Sequence, residues 1–515
     1  MHCWIGVCLF GTPFEQDVVK EKTMYGRMLQ SLLLIAICCL ANGMQAQEVM
    51  ELTLEQTIAH ARLHSPDAQS ARHTFRASYW NYRYYRANYL PNLTLTSNPY
   101  LDRAINKVTL DDGTMKFVEQ NLLSTDLTLS LTQNVPWTGV TFFVETSAQR
   151  IDLFSDGSHS YQTSPVSIGY RQALFGYNSL KWDRRIEPVR YREARKRYAE
   201  TLELVAAAAT QKFFDLATAQ SNYEIASTNY ANADTLYLYA RGRYDIGTIS
   251  ENEMLQLEIN KLTEETNRMN ARIEVDNAMQ ALRSYLGIRE DVELRVCIEG
   301  EVPDLCIDLN EALLLASRNS PEMENMQRRR LESESAVAQA RANAGLKADL
   351  YLRFGLTQTA DRWKNAWRNP MEQQYVSLGI SLPILDWGRG KGQVRVAKSN
   401  RDLVHTQVEQ DKTDFGLNVA KLVRQFNLQA QRVHIAARTD TTARRRAEVA
   451  RRLYLLGQST VLDLNASITE KDTARRNYLT ALYDYWSLYY TLRSLTLYDF
   501  GQGCPLEEDL ERLME

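Results

Sequence analysis

Proline is missing from two long stretches of this chain: none of its 12 prolines falls between Pro188 and Pro303 or between Pro383 and Pro505. Proline interrupts helix interiors because it lacks an N–H and clashes with the preceding turn, so both stretches read as helical. A dominant charge of one sign is missing too. The formal charge is −3 with 24% charged residues of interleaved sign, and no basic field argues for nucleic acid. Past the N-terminal segment the chain lacks the roughly 18 consecutive apolar residues that a membrane helix needs. G-x-S-x-G and paired Cys/His spacings are also absent, so no residue pattern points to catalysis, a metal or a cofactor.

The N-terminus reads as an address. From Met24, "MYGRMLQSLLLIAICCLANGMQAQ" supplies Arg27, an apolar run from Leu32 to Leu40, and small residues at Ala41, Gly43 and Ala46, the pattern of a secretory leader cleaved near Ala46. Residues 1–46 are assigned to it, with Met24 as the working start. Lipid attachment at Cys38 is disfavoured because Ile37 precedes it. Four of the seven cysteines leave with the leader; Cys297 and Cys306 flank a short loop and could pair in an oxidising compartment.

What the chain does have is itself, twice. "LTLEQTIAHARLHSPD" from Leu52 matches "IDLNEALLLASRNSPE" from Ile307 at an offset of 255 residues. Farther on the offset is 210, taking Gly247 onto Gly457 and Leu282-Arg283-Ser284 onto Leu492-Arg493-Ser494. The change of offset means that the first copy carries about 45 extra residues, all between Leu95 and Val166. The copies span residues 47–300 and 301–500, followed by a tail at 501–515.

Each copy runs through the same periods. A short helix breaks at Ser-Pro, and a longer one resumes from Pro66 or Pro321, where proline suits the first turn. Strands follow, within 92–175 and 347–385. "LTLTS" (Leu93 to Ser97), "LTLSLTQ" (Leu127 to Gln133), "LYLRFGLT" (Leu350 to Thr357) and "VSLGISL" (Val376 to Leu382) alternate apolar with small or polar residues. In the extra segment, "LTLSLTQNVPWTGVTFFVET" reads as a hairpin turning at Trp137-Thr138-Gly139. It either adds two strands or forms an ordered loop, and the loop is the preferred expectation. Aromatics gather around these strands: Trp137, Phe142, Phe143, Tyr170, Trp363, Trp367 and Trp387.

After Leu180 and Lys391 come runs of roughly 65 residues almost free of glycine, each long enough for a helix of about 100 Å. They end at Gly247 and Gly457, whose left-handed geometry can close a helix. Ser250 and Thr460 are expected to cap the next helices, with Glu253 and Asp463 at the capping-box position. Each glycine therefore marks the tip of an antiparallel helical hairpin.

Strands with one apolar face, in an exported chain without a membrane helix, fit a β-barrel in lipid. Such a barrel must close, because open edges leave backbone groups unpaired in hydrocarbon. The sequence offers four to six strands per chain, fewer than the eight of small barrels, so several copies must share one barrel.

The doubled "SP" helix starts, Leu90-Pro91, "LSLTQNVPWTG", "ISLPILDWGRG", the two glycine hairpins and the closing "LRSLTLYDF" together resemble the TolC-like outer-membrane efflux protein family, over essentially all of the mature sequence. The resemblance implies a mainly α fold with membrane β-strands, in which three copies build one outer-membrane β-barrel and a long periplasmic α-barrel. It implies a homotrimer working as the exit duct of a tripartite efflux or type I secretion system, with outer-membrane lipid, a periplasmic adaptor protein and an inner-membrane pump or exporter as partners. The docking tips would be Ile246-Gly247-Thr248 and Leu456-Gly457-Gln458. Tyr454, Glu253 and Asp463 stand at positions that constrict the periplasmic entrance in the family. Ser459 and Ala466 replace an arginine and an aspartate of that network.

Three weaker patterns are set aside. "WGRGKGQ" from Trp387 fails as a phosphate loop and reads as a strand-to-helix junction. His60 and His64 lack the glutamate of a zinc helix and read as surface residues. "ARRRAEVARR" from Ala443 reads as a solvated helix face, or as a basic surface for an acidic adaptor. The rival class is a periplasmic coiled-coil adaptor or scaffold, which would have one hairpin and small soluble β domains.

Overall fold

A computed structural model describes residues 49–506 apart from 110, 112, 289–291, 299, 301 and 457. The leader expected at 1–46, tip residue Gly457 and most of the tail lie outside the described residues.

Both repeats open identically. In the first, β1 (Val49–Leu52) leads into α1 (Leu54–His64), where Thr53 and Gln56 close a reciprocal capping box. Ser65 ends α1 and caps α2 (Pro66–Ala87) by accepting from Ala68 N, with Pro66 in the first turn. β7 (Glu293–Val296), at the end of the first repeat, pairs parallel with β1, and in the second repeat Asp308 caps α5 (Leu309–Asn319). Ser320 then caps α6 (Pro321–Ala344). The doubled Ser-Pro is thus a helix–cap–helix junction, needed because the residue before proline is steered out of helical geometry.

The long glycine-poor runs are continuous helices of equal length. First comes α3 (Ser179–Asp245) with its return α4 (Glu251–Leu286), and later α7 (Arg389–Leu455) with α8 (Val461–Thr496), giving 67 and 36 residues in each repeat. At 1.5 Å per residue α3 and α7 each extend about 100 Å. Such helices cannot fold onto one globular core, and burial concentrates instead near their middles. Phe75, Tyr198, Leu202, Leu216, Leu282 and Leu286 form one core around α1–α4. Val423, Phe426, Leu482, Tyr485 and Leu492 form another, which Phe213 and Phe214 of α3 enter. Ala206, Ala209 and Ala217 are buried on α3, their small side chains letting neighbouring helices approach closely.

A buried ion cluster ties the repeats together. Arg493 of α8 pairs with Glu203 of α3 at 2.9 Å and with Asp499 at 2.8 Å. Arg62 of α1 also reaches Glu203, and Tyr489 donates to Asp499 at 2.6 Å. Asp499 lies in β10 (Tyr498–Asp499), which pairs with β11 (Cys504–Pro505) just past α8.

The strands form one seven-stranded antiparallel sheet: β2 (Asn92–Thr96), β3 (Tyr100–Thr109), β4 (Met115–Val135), β5 (Val140–Leu153), β6 (His159–Leu174), β8 (Lys347–Ala360) and β9 (Met371–Ser381). Its order is β2-β4-β5-β6-β8-β9. Both β2 and β3 pair with the 21-residue β4, at Thr128–Thr132 and Met115–Ser124, so the two occupy one interrupted strand position. The sheet has six positions, and the repeats join where β6 pairs with β8.

The extra segment of the first repeat corrects an expectation. Residues 127–146 are strand throughout except for the turn at Pro136–Gly139, and β4 and β5 lie inside the sheet rather than in an ordered loop. Pairing on both flanks holds them there: β4 bonds β2 along one edge and β5 bonds β6 along the other. Gly139 closes the turn in left-handed geometry, with φ of 76°. Cys297 and Cys306 are both free and exposed.

Candidate functional site

The sheet is inverted relative to that of a soluble protein. Along β4 the leucines at 127, 129 and 131 are exposed, while Asp126, Thr128, Ser130 and Thr132 between them are half-buried. On β6, Val166 and Ile168 are exposed and Ser167 and Gly169 are buried. The register carries this alternation across every position. Leu93 opposes Leu131, Leu131 opposes Val144, Val144 opposes Ile168, and Ile168 opposes Phe354. On the last pair Leu352 meets Val376, Leu350 meets Leu378 and Ala348 meets Ile380. One face is therefore an apolar band, largely exposed, with Ala348 buried and Leu350 and Leu352 half-buried where it crosses β8.

The other face is polar and internally bonded. Ser130 Oγ donates to Glu145 at 3.1 Å, Gln149 donates to Ser124 Oγ at 2.9 Å, and Arg353 donates to Ser167 Oγ at 3.1 Å. Phe143, Tyr351 and Leu122 are among the less polar residues on this face. The Phe143 ring lies over Gly169, where an added Cβ would sit 1.8 Å from a ring carbon, and it stacks on Tyr351 at 5.7 Å. Glycine at 169 leaves the room that this ring occupies.

Aromatics mark both ends of the band. Trp363 and Trp367 lie in the loop between β8 and β9, with ring centroids 5.5 Å apart, and Trp363 meets Tyr161 of β6 at 5.7 Å. At the helix end stand Trp137, under Arg184 at 5.2 Å, and the exposed Trp387. Nearby, Asp386 accepts from Gly388 N at 2.9 Å and Gly390 N at 2.8 Å, so "WGRGKGQ" is the strand-to-helix junction that opens α7. Among the described residues no helix is long and apolar enough to cross a membrane.

The hairpin tips lie at the opposite end of α3 and α7 from the sheet. Gly247 has φ of 76°, and Thr248 N donates back to Arg243 O at 2.9 Å. The second tip repeats that bond, Gln458 N to Leu453 O at 2.9 Å. Both tips project an apolar side chain, Ile246 at 74% and Leu456 at 71% exposure. Ser250 caps α4 by accepting from Glu253 N, and Thr460 caps α8 by accepting from Asp463 N. The return half of each capping box is not made. The Asp463 carboxylate instead accepts from Thr460 Oγ1 at 2.8 Å.

Of the three entrance residues, Tyr454 and Glu253 lie within electrostatic range of each other. Tyr454 is half-buried between the hairpins, and its hydroxyl is made less acidic first by that burial and then by the charge of Glu253, against the opposing pull of Arg243. Asp463 is held at its own cap. Sequence reasoning missed Arg243 and the Arg493 cluster; the match of Arg283 with Arg493 was the only available signal. The arginine run from Ala443 lies on a solvated helix face, where Arg444 meets Asp440, Arg446 meets Glu470, and Arg452 meets Glu448 at 2.5 Å.

This architecture defines a class: a tandem-repeat, mainly helical protein whose one sheet is apolar on its exposed face. The family model described as "Outer membrane efflux protein" matches residues 57–288 and 313–496, and the chain belongs to that family of outer-membrane transport proteins. The outer membrane channel CmeC of Campylobacter jejuni is similar in structure, with a TM-score of 0.64 at 15% identity over 89% of this chain and 88% of that one. The outer membrane protein VceC of Vibrio cholerae has a TM-score of 0.59 at 13% identity, covering 88% and 97%. The Neisseria gonorrhoeae MtrE outer membrane channel has a TM-score of 0.58 at 15% identity, covering 88% and 91%. At these identities the likeness speaks to fold. No curated protein matches the chain in sequence.

Proposed function

We propose that three copies of this chain form a passive duct from the periplasm to the cell exterior. The observation that carries this reading is the inverted sheet, apolar where exposed and polar where shielded, with two free edges at β2/β3 and β9. Free edges cannot stand in hydrocarbon, because unpaired backbone groups there cost several kcal/mol each. Edge-to-edge closure between copies pairs every one of them, and the family resemblance supplies the number three.

The four long helices of each copy continue the wall below the membrane as a tunnel. At its far end Ile246 and Leu456 present apolar points, and Gly247, Thr248 and Gln458 stand at the turns that a periplasmic adaptor grips, with Gly457 as the second tip glycine in the sequence. An inner-membrane pump or exporter, the partner that the family resemblance implies, drives transport. Tyr454 and Glu253 act as the entrance constriction, a reading supported by the half-burial of Tyr454 and the nearness of the Glu253 charge, and Asp463 adds negative charge near the axis.

The purified mature protein in a planar bilayer is expected to open ion-conducting pores. A protein that binds the bilayer without ever conducting would contradict the duct. The coiled-coil scaffold reading fits less well, since a scaffold has no use for a broad exposed apolar sheet between two hairpins.

A further inference from the structure

The repeats differ by one insertion, and the sheet gives that insertion a purpose. The repeat register sets β2 against β8, Leu93 falling on Ala348, and the end of β6 against β9, Val166 falling on Val376. The second repeat supplies only this pair, β8 and β9, joined directly. In the first repeat β4 and β5 stand between the equivalent strands. Without them each copy would present four strand positions instead of six.

Two observations identify β4 and β5 as wall. Their exposed residues Leu129, Leu131, Phe142 and Val144 continue the apolar band in register from Leu93 and Leu95 on one side to Ile168 on the other. Their shielded face carries Thr128, Ser130, Glu145 and Ser147, with Ser130 bonded to Glu145. A hairpin folded into the channel would expose its leucines to water.

We propose that the insertion widens the barrel: three copies of six strand positions close as eighteen strands, where the uninserted repeat plan would give twelve. This rests on the trimeric duct reading. Barrel diameter grows roughly linearly with strand number, so the width rises about 1.5-fold. With strands about 4.8 Å apart and tilted about 40°, the backbone wall measures about 36 Å across instead of about 24 Å. At that width the barrel is an open aqueous passage, and selection by size falls to the helical tunnel and its tips. The hairpin thus sets the width of the opening in the membrane and not the size limit on cargo.

Spin-label accessibility tests this directly. In a background with Cys297, Cys306 and Cys504 changed to serine, labels are placed at Leu129→Cys and Val144→Cys, with Ile380→Cys on β9 as the control and Thr128→Cys as the opposite face. Reconstituted in liposomes, labels at 129, 144 and 380 are expected to be relaxed strongly by oxygen and weakly by a water-soluble nickel chelate, with 128 the reverse. Nickel access at 129 and 144 with the control still in lipid would overturn the widening and leave the duct intact. Nickel access at 380 as well would overturn the duct itself.

Discussion

At the scale of single residues, Arg493 does most to join the two repeats. It is 8% exposed and lies between Glu203 and Asp499, which are buried to 2% and 4% exposure. Replacing it by methionine leaves the buried Asp499 without its cation and Glu203 with Arg62 alone, a loss of about 3–5 kcal/mol. Arg493→Met is expected to lower the thermal midpoint clearly, and an unchanged midpoint would contradict the role. The pH dependence has a definite sign. Burial raises the Asp499 pKa, but the Tyr489 hydroxyl, the Arg493 charge and two backbone N–H groups outweigh it, so the group sits below its ordinary value. A depressed carboxyl pKa stabilises the fold fully above the ordinary carboxylate range and fades as pH falls through the lowered value. Acid melts should therefore show this contribution failing below about pH 4 in the parent and reduced in the variant, where Tyr489 and the backbone N–H groups remain. At the entrance, Tyr454→Phe with Glu253→Gln removes the facing pair and should raise single-channel conductance; equal conductance would take both residues out of the constriction.

At the scale of elements, the tip turn of α3 and α4 depends on one backbone conformation. Nothing lies within 4 Å of a Cβ built on Gly247, so a side chain there meets only the strain of φ at 76°. Gly247→Val should cost about 1–2 kcal/mol locally while leaving assembly intact. Export of cargo in living cells should fall sharply, and normal export would show that the tip is not gripped by a partner. The hairpins were legible in the sequence because helices announce themselves locally, through missing glycine and proline and through caps such as Ser250 and Thr460. The sheet was legible only where alternation is clean, as in Leu127 to Gln133. Charged residues blur it in "YLDRAINKVT" and "MKFVEQNLLS", yet β3 and the first half of β4 pair there residue for residue. The join of β6 to β8 links residues nearly 200 positions apart, which no local pattern encodes. That the extra segment lies inside the sheet rather than in a loop depends on the pairing of β4 with β2 and of β5 with β6, which the alternation within the segment does not encode. The burial of Arg493 was hidden for the same reason, since its partner Glu203 is 290 residues away.

At the scale of the whole molecule, one monomer is incomplete by its own chemistry: its sheet has two open edges, its apolar band faces outward, and its longest helices extend far from any single core. These features are reconciled by assembly in a membrane. The most direct check is the detergent-corrected mass of the mature protein together with the membrane from which it is extracted. The account predicts three protomers recovered from the outer membrane. A water-soluble periplasmic monomer would contradict it, because the apolar band would then have no lipid and the free edges no partner.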